Sequence, residues 1–233
     1  MKLTTEGKLI LETRRLFAQG AIFGHSKLNT LEEFSKALEK EAPFQLLTSI
    51  AEMDSGLTTM LIKLGNQTIR NSNTQNSALS LKSAISRIGI KGCQAALISY
   101  HFDVMMREAD EKWRGVFKSA IERSYRAAST SKTMAIRLQK DCDIQLTIML
   151  TILYSTSVFA KLVAAQSLRL KKNESSLKII RKPNSTLAEL VLLSKNVPYD
   201  IICQVTEIDK EKPNSLESQI AKIAWEKTIG GTQ

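Results

Sequence analysis

The sequence predicts an all-α protein, a compact multi-helix bundle in two lobes. Three observations carry that reading. Only 10 Gly and 4 Pro occur in 233 residues, and so few breakers over this length favour long helices. Aromatic content is 6%, low for a β-sandwich. Apolar residues recur at three- and four-residue spacing in segment after segment, which places them on one helical face.

The elements follow in chain order. Residues 8–19 read as a helix through Leu9, Leu11, Leu16 and Phe17, and Gly20, Gly24 and His25 as a loop. Thr30 with Glu33 forms a capping-box pattern ahead of Leu31, Phe34 and Leu38. Pro43 ends or restarts that helix, and Phe44, Leu47 and Ile50 continue on a short one. Asp54 or Ser55 caps the next, with Leu57, Met60, Leu61 and Leu64 on one face and Gly65 as its stop. The polar run 71–77 is a loop. Ser80 opens a helix carrying Leu81, Ala84, Ile85 and Ile88 to a stop at Gly89, and residues 92–107 form a longer one.

From Trp113 the chain turns basic. Trp113, Phe117, Ala120, Ile121, Tyr125 and Ala128 make an apolar stripe, with Lys112, Arg114, Lys118, Arg123 and Arg126 on the outer face. The lobes are expected to meet near residue 130. Residues 144–160 hold no charge. That is short of the ~20 apolar residues a bilayer span needs, so a buried core helix over 144–168 is expected. Residues 169–182 read as a basic stretch broken by the polar run 173–176. A short helix over 187–194 ends near Pro198, and 199–208 fits a helix or a strand. Pro213-Asn214 and Glu217 mark a final capped helix with Leu216, Ile220, Ile223 and Ile229 inward.

The formal charge is +10, and it is concentrated. Residues 112–182 hold 15 Lys or Arg against Glu122, Asp141, Asp143 and Glu174. Such a field favours anionic partners, or is a set of solvated helix faces. The candidate anion-binding residues are Arg123, Arg126, Arg169, Lys171, Lys172, Lys178, Arg181 and Lys182. Aromatic stacking platforms for bases are missing from that set. Cys93, Cys142 and Cys203 have no zinc or C-x-x-C spacing, as expected of reduced thiols in a cytoplasmic protein. Glu6, Lys8, Glu12, Arg14 and Arg15 interrupt any signal-peptide core. No G-x-S-x-G, P-loop or G-x-G-x-x-G occurs.

The order of several short motifs resembles the HDOD domain, a non-catalytic relative of the HD phosphohydrolases. Asp54 and Leu57 match its Asp-Pro-x-Leu helix start without the Pro. Asn66 matches the first residue of its Asn-Ser pair. Ala84, Ile85 and Gly89 match its Ala-Ile and Gly signature, Trp113 its Trp, and Pro198 its Leu-Pro. The resemblance implies an HD/HDOD-type bundle over residues 30–208, with a helical extension at 1–29 and a C-terminal helix at 209–233. HD enzymes hold a metal with several His and Asp ligands. Here Tyr154 and Ser155 stand in the His and Asp places, and the only histidines, His25 and His101, are not followed by Asp. The resemblance therefore implies no catalytic or metal-binding residues, no cofactor, and a role in bacterial signal transduction. The expected partner is a protein, met through Trp225 or Met105 and Met106. Nucleic acid or a cyclic dinucleotide on the basic segment is the alternative, and no membrane is expected.

Overall fold

The computed structural model describes residues 3–19, 29–67, 80–138, 142–193 and 197–230. Every regular element among them is helical: α1 (Thr5–Ala18), α2 (Asn29–Glu39), α3 (Phe44–Glu52), α4 (Ser55–Gln67), α5 (Leu81–Glu108), α6 (Glu111–Leu138), α7 (Ile144–Tyr154), α8 (Thr156–Ser167), α9 (Glu174–Arg181), α10 (Ser185–Leu193), α11 (Tyr199–Glu207) and α12 (Leu216–Gly230). The polar loop 71–77 and His25 lie outside the described residues. Two compact units form, one from residues 1–25 with 102–233, the other from 26–101. The division falls inside α5 rather than near residue 130. No Gly or Pro marks it, so local sequence gave no signal.

In the 26–101 unit, α3 packs on α2 and α4. Asp54 caps α4 as expected: its Oδ1 accepts from the Gly56 and Leu57 backbone N–H groups at 2.8 and 2.9 Å. Those donors are otherwise orphaned at a helix start. The Tyr100 hydroxyl donates to the other carboxylate oxygen at 3.3 Å. A side chain at position 56 would overlap the Tyr100 ring, so Gly56 lets Tyr100 reach the cap. Leu57, Ala84 and Ile85 are fully buried. Gly65 does not stop α4, which runs on to Gln67, so Asn66 sits in its last turn rather than after it.

Ser80 caps α5 through the Ser83 N–H at 3.2 Å. Gly89 then kinks the helix rather than ending it, at φ 63° and ψ −174°. This is not the left-handed helical stop expected from sequence but an extended positive-φ conformation that essentially only Gly adopts.

In the other unit, α6, α7 and α12 pack on one another, α1 lies on α8, and α10 contacts α8 and α11. The α6 stripe is buried at Trp113, Phe117, Ala120, Ile121 and Ala128, with Tyr125 half-buried. Phe102 stacks on Phe159 with centroids 3.7 Å apart. The ambiguous 199–208 stretch is helical, with Pro198 at its N-cap; Pro fits there because it has no N–H to lose. The final helix is capped by Ser215, whose Oγ accepts from the Ser218 N–H at 3.1 Å. Glu217 instead accepts from the Asp143 N–H at 3.0 Å. Ile223 is 40% exposed rather than inward.

Candidate functional site

The place where the sequence sets Tyr154 and Ser155 is the junction of α7 and α8. Asp143 caps α7, accepting from the Leu146 N–H at 2.9 Å. One continuous helix was expected here, but the chain breaks at Ser155. Three successive hydroxyls explain the break. Ser155, Thr156 and Ser157 donate to the carbonyls of Ile152, Leu153 and Tyr154 at 2.5, 2.6 and 3.0 Å, competing with the backbone ladder. The span Ile144–Ser167 is long and apolar enough to cross a membrane, and 89% of its most apolar window is buried inside the protein.

Around the junction the polar groups are already partnered. The Tyr154 hydroxyl donates to Asp209 Oδ1. Asp209 Oδ2 accepts from the Ser185 N–H, the first of α10, at 2.6 Å. Ser157 Oγ also accepts from the Asn184 N–H at 2.9 Å. Trp225 meets Tyr154 edge-on, centroids 6.4 Å apart, and donates its indole N–H to the Thr151 carbonyl at 2.9 Å. Burial and the Asp209 carboxylate push the Tyr154 phenol far above its ordinary range, so it is a neutral donor. The acid absent from residues 144–160 thus arrives from just beyond the C-cap of α11. Only a long-range contact brings it, and no local pattern could have flagged Asp209. Among the described residues, no group of three or more His, Cys, Asp or Glu side chains comes together. His101 and Cys93 are buried in the other unit, and burial pushes the Cys93 thiol up to about 12.

A buried lysine ties α8 to the basic segment. Lys161 is 4% exposed. Its ammonium donates to the Ile179 carbonyl at 3.0 Å and to that of Lys182, near the C-terminal end of α9, where cations are favoured. Burial pulls its pKa down to about 8, against the opposing pull of Glu6 and Asp209. The unfolded value is 10.5. Between pH 8 and 10.5 the unfolded chain therefore holds a proton that the folded chain has released. This group's contribution to stability grows as pH rises through that window and is lost as pH falls to 8. The expected size is about 2–3 kcal/mol. Urea unfolding of the wild type and Lys161→Met at pH 8 and 10 checks it. The difference should move in favour of the wild type at the higher pH, with Cys93 and Tyr154 cancelling between the two proteins. A pH-independent difference would refute it.

The basic candidates divide. Residues 173–176 are not a break but the cap and first turn of α9: Asn173 Oδ1 accepts from the Ser176 N–H at 2.9 Å. Arg126, Arg169, Lys171, Lys172, Lys178 and Lys182 are exposed and Arg181 is intermediate. Arg123 is not on the outer face. It is 9% exposed, and it lines one cleft with Arg181. Lys172 Nζ donates to the Lys112 carbonyl at 3.0 Å. The start of α6 and the segment before α9 are therefore adjacent. A separate open groove of about 510 Å³ is lined by Met106, Arg107, Arg114, Gly115 and Lys118.

The expected protein-binding patch is not there. Trp225 and Met105 are buried at 2% and 6% exposure, and Met106 is half-buried. The face of α12 that holds Trp225 also holds Ile220, Ala221 and Ala224 in the core, a spacing that could have shown this. Among exposed large apolar side chains, Phe44, Leu46 and Met53 sit on or at the end of α3. Of the signature positions, Asp54, Leu57, Ala84, Ile85 and Trp113 are buried, while Pro198 is exposed.

The HDOD domain model matches residues 29–176. The fold is similar to that of a protein from Shewanella amazonensis SB2B, provisionally described as a metal-dependent phosphohydrolase. That likeness has a TM-score of 0.72 at 12% identity, over 99% of this chain and 86% of that one. No curated protein sequence matches the chain.

Proposed function

The chain belongs to the HDOD domain family, and from that premise we propose that it is a non-catalytic regulatory module that binds a protein or small ligand in a bacterial cytoplasm. One observation carries this reading. At the positions where the resemblance sets an HD enzyme's His–Asp pair, Tyr154 and Ser155 spend their hydroxyls on Asp209 and the Ile152 carbonyl. Metal-activated hydrolysis needs deprotonated ligands with an open coordination position, and a phenol and an alcohol so engaged offer neither. The exposed apolar side chains of α3 are the surface for a protein partner. The purified chain, assayed on bis(p-nitrophenyl) phosphate with Mg²⁺, Mn²⁺ or Co²⁺, is expected to show no turnover above buffer. Turnover that EDTA abolishes would sink the reading.

A second reading, phosphate-directed binding, is favoured by a specific contact. The bond from Lys172 to the Lys112 carbonyl and the shared cleft of Arg123 and Arg181 join segments 112–140 and 169–182. Cations from two distant stretches of sequence thus lie together. Binding to labelled RNA, DNA and cyclic dinucleotides across a salt series tests it. Affinity should fall steeply with salt, and be reduced by Lys171→Glu with Lys172→Glu. No binding at low salt would remove this reading.

A further inference from the structure

The open groove of about 510 Å³ is bounded by the last turn of α5 and the early turns of α6, and three of its five lining residues, Arg107, Arg114 and Lys118, are cations. All three are exposed. Among the described residues none of them makes an ion pair. Glu108, Asp110 and Glu111 stand at the turn between the two helices and do not line the groove, and Glu122 ends the row one turn beyond Lys118.

Two local choices here oppose the helix they sit in. Arg114 and Lys118 are at i and i+4, where like charges repel. Gly115 lies between them in a helix interior, the least favourable residue there after proline. A side chain at 115 would meet nothing within 4 Å, so packing within the chain does not call for the glycine. Sequence choices that work against their own element are the ones expected at functional sites. A polyanion laid in the groove answers both: it relieves the repulsion, and glycine lets its backbone come close to the helix. We propose that this groove is a docking site for the sugar–phosphate backbone of duplex DNA, with Arg107, Arg114 and Lys118 on phosphate oxygens and Gly115 at the point of closest approach. The inference rests on the phosphate reading above and deepens it by naming the site and the ligand.

The lining chooses that ligand. Arg and Lys side chains only donate hydrogen bonds, so the groove fits a surface made of acceptors, as phosphate oxygens are. It offers no side-chain acceptor to the 2′-hydroxyls through which RNA is told apart. No aromatic side chain lines it, so unpaired bases have nothing to stack on, whereas a duplex turns its phosphates outward. The cations also continue past the groove. Lys112, two residues before Arg114, accepts at its carbonyl from Lys172, and Arg169 and Lys171 are exposed just before that lysine. Arg169 keeps its side chain at a left-handed backbone position, φ 49°, where glycine is the easier residue. Such a track suits a repeating charge better than a single nucleotide.

Fluorescence anisotropy of labelled duplex DNA with the full chain, across a sodium chloride series, provides the test. Each phosphate contact adds about −0.9 to the slope of log affinity against log salt. Arg114→Gln with Lys118→Gln should therefore flatten the slope by about 2 and weaken binding about tenfold or more. Lys212→Gln with Lys227→Gln removes the same charge elsewhere on the surface and should leave binding within about twofold of the wild type, because exposed charges beyond a Debye length are screened. Gly115→Leu carries the sharper expectation, since its two readouts move in opposite directions. Its Tm should rise by about 2–4 °C, as a helix former replaces glycine, while binding weakens about tenfold. The site is overturned by undiminished binding in either groove variant, by an equal loss in the control pair, by tighter binding to single-stranded DNA or duplex RNA, or by poly-glutamate that competes as well as DNA at equal charge. Binding lost in Lys171→Glu/Lys172→Glu but kept in the groove variants would leave the broader phosphate reading standing and this site refuted. No binding to any nucleic acid at low salt would remove both.

Discussion

Replacing Trp225 with Ala is expected to cost about 3–5 kcal/mol of stability, the range for deleting a large buried aromatic. The indole is 2% exposed. It abuts the Tyr154 ring and closes a hydrogen bond to the Thr151 carbonyl. Truncation leaves a cavity in the unit containing α6, α7 and α12 and strands that carbonyl. Trp225→Phe weights the two effects differently, since it keeps most of the volume but removes the N–H entirely. It should cost about 1–3 kcal/mol, the penalty of an unmet buried polar group. Urea unfolding followed by far-ultraviolet circular dichroism measures both. A loss below ~1 kcal/mol for the Ala variant would mean that the indole is not part of the core.

Asp209→Ala is the second effect, at about 1–3 kcal/mol. Two part-buried donors, the Tyr154 hydroxyl and the Ser185 N–H, lose their acceptor together, but Asp209 is exposed, so water replaces part of what is lost and each donor costs less than the ~1–3 kcal/mol of a fully buried one. A double-mutant cycle makes the test specific. Tyr154→Phe removes one stranded donor in advance, so Asp209→Ala should cost less in that background than in the wild type. Strict additivity would show that the two side chains do not act as a pair.

What the sequence revealed depended on the range of the determinant. Asp54 was legible because a cap acts within three residues, and Asp54 bonds to Gly56 and Leu57. Gly89 was legible as a position needing positive φ, though not as a kink, because the helix resumes immediately. The break at Ser155 was hidden, since neither Gly nor Pro makes it and hydroxyls read as merely polar. Arg123 departs from the outer face expected of a charged residue on an amphipathic helix. It stands three residues after Ala120, beside the buried stripe of α6, and periodicity alone would have put it there. The pairing of Tyr154 with Asp209 spans 55 residues and has no local signature. The candidate anion-binding residues were likewise legible only as a list of cations. Which two share a cleft depends on how α6, α8, α9 and α12 pack.

The filled junction also bears on evolutionary reversibility. Ser155 is fully buried and its hydroxyl is engaged, so Asp at that position would have to bury a carboxylate. His at 154 would withdraw the phenol that Asp209 holds. Each step toward a metal-binding pair thus lowers fitness to fold before any ligand set exists. On the proposed reading, a His–Asp pair at these two positions would need compensating changes around Asp209 and the Ile152 carbonyl as well as the two substitutions.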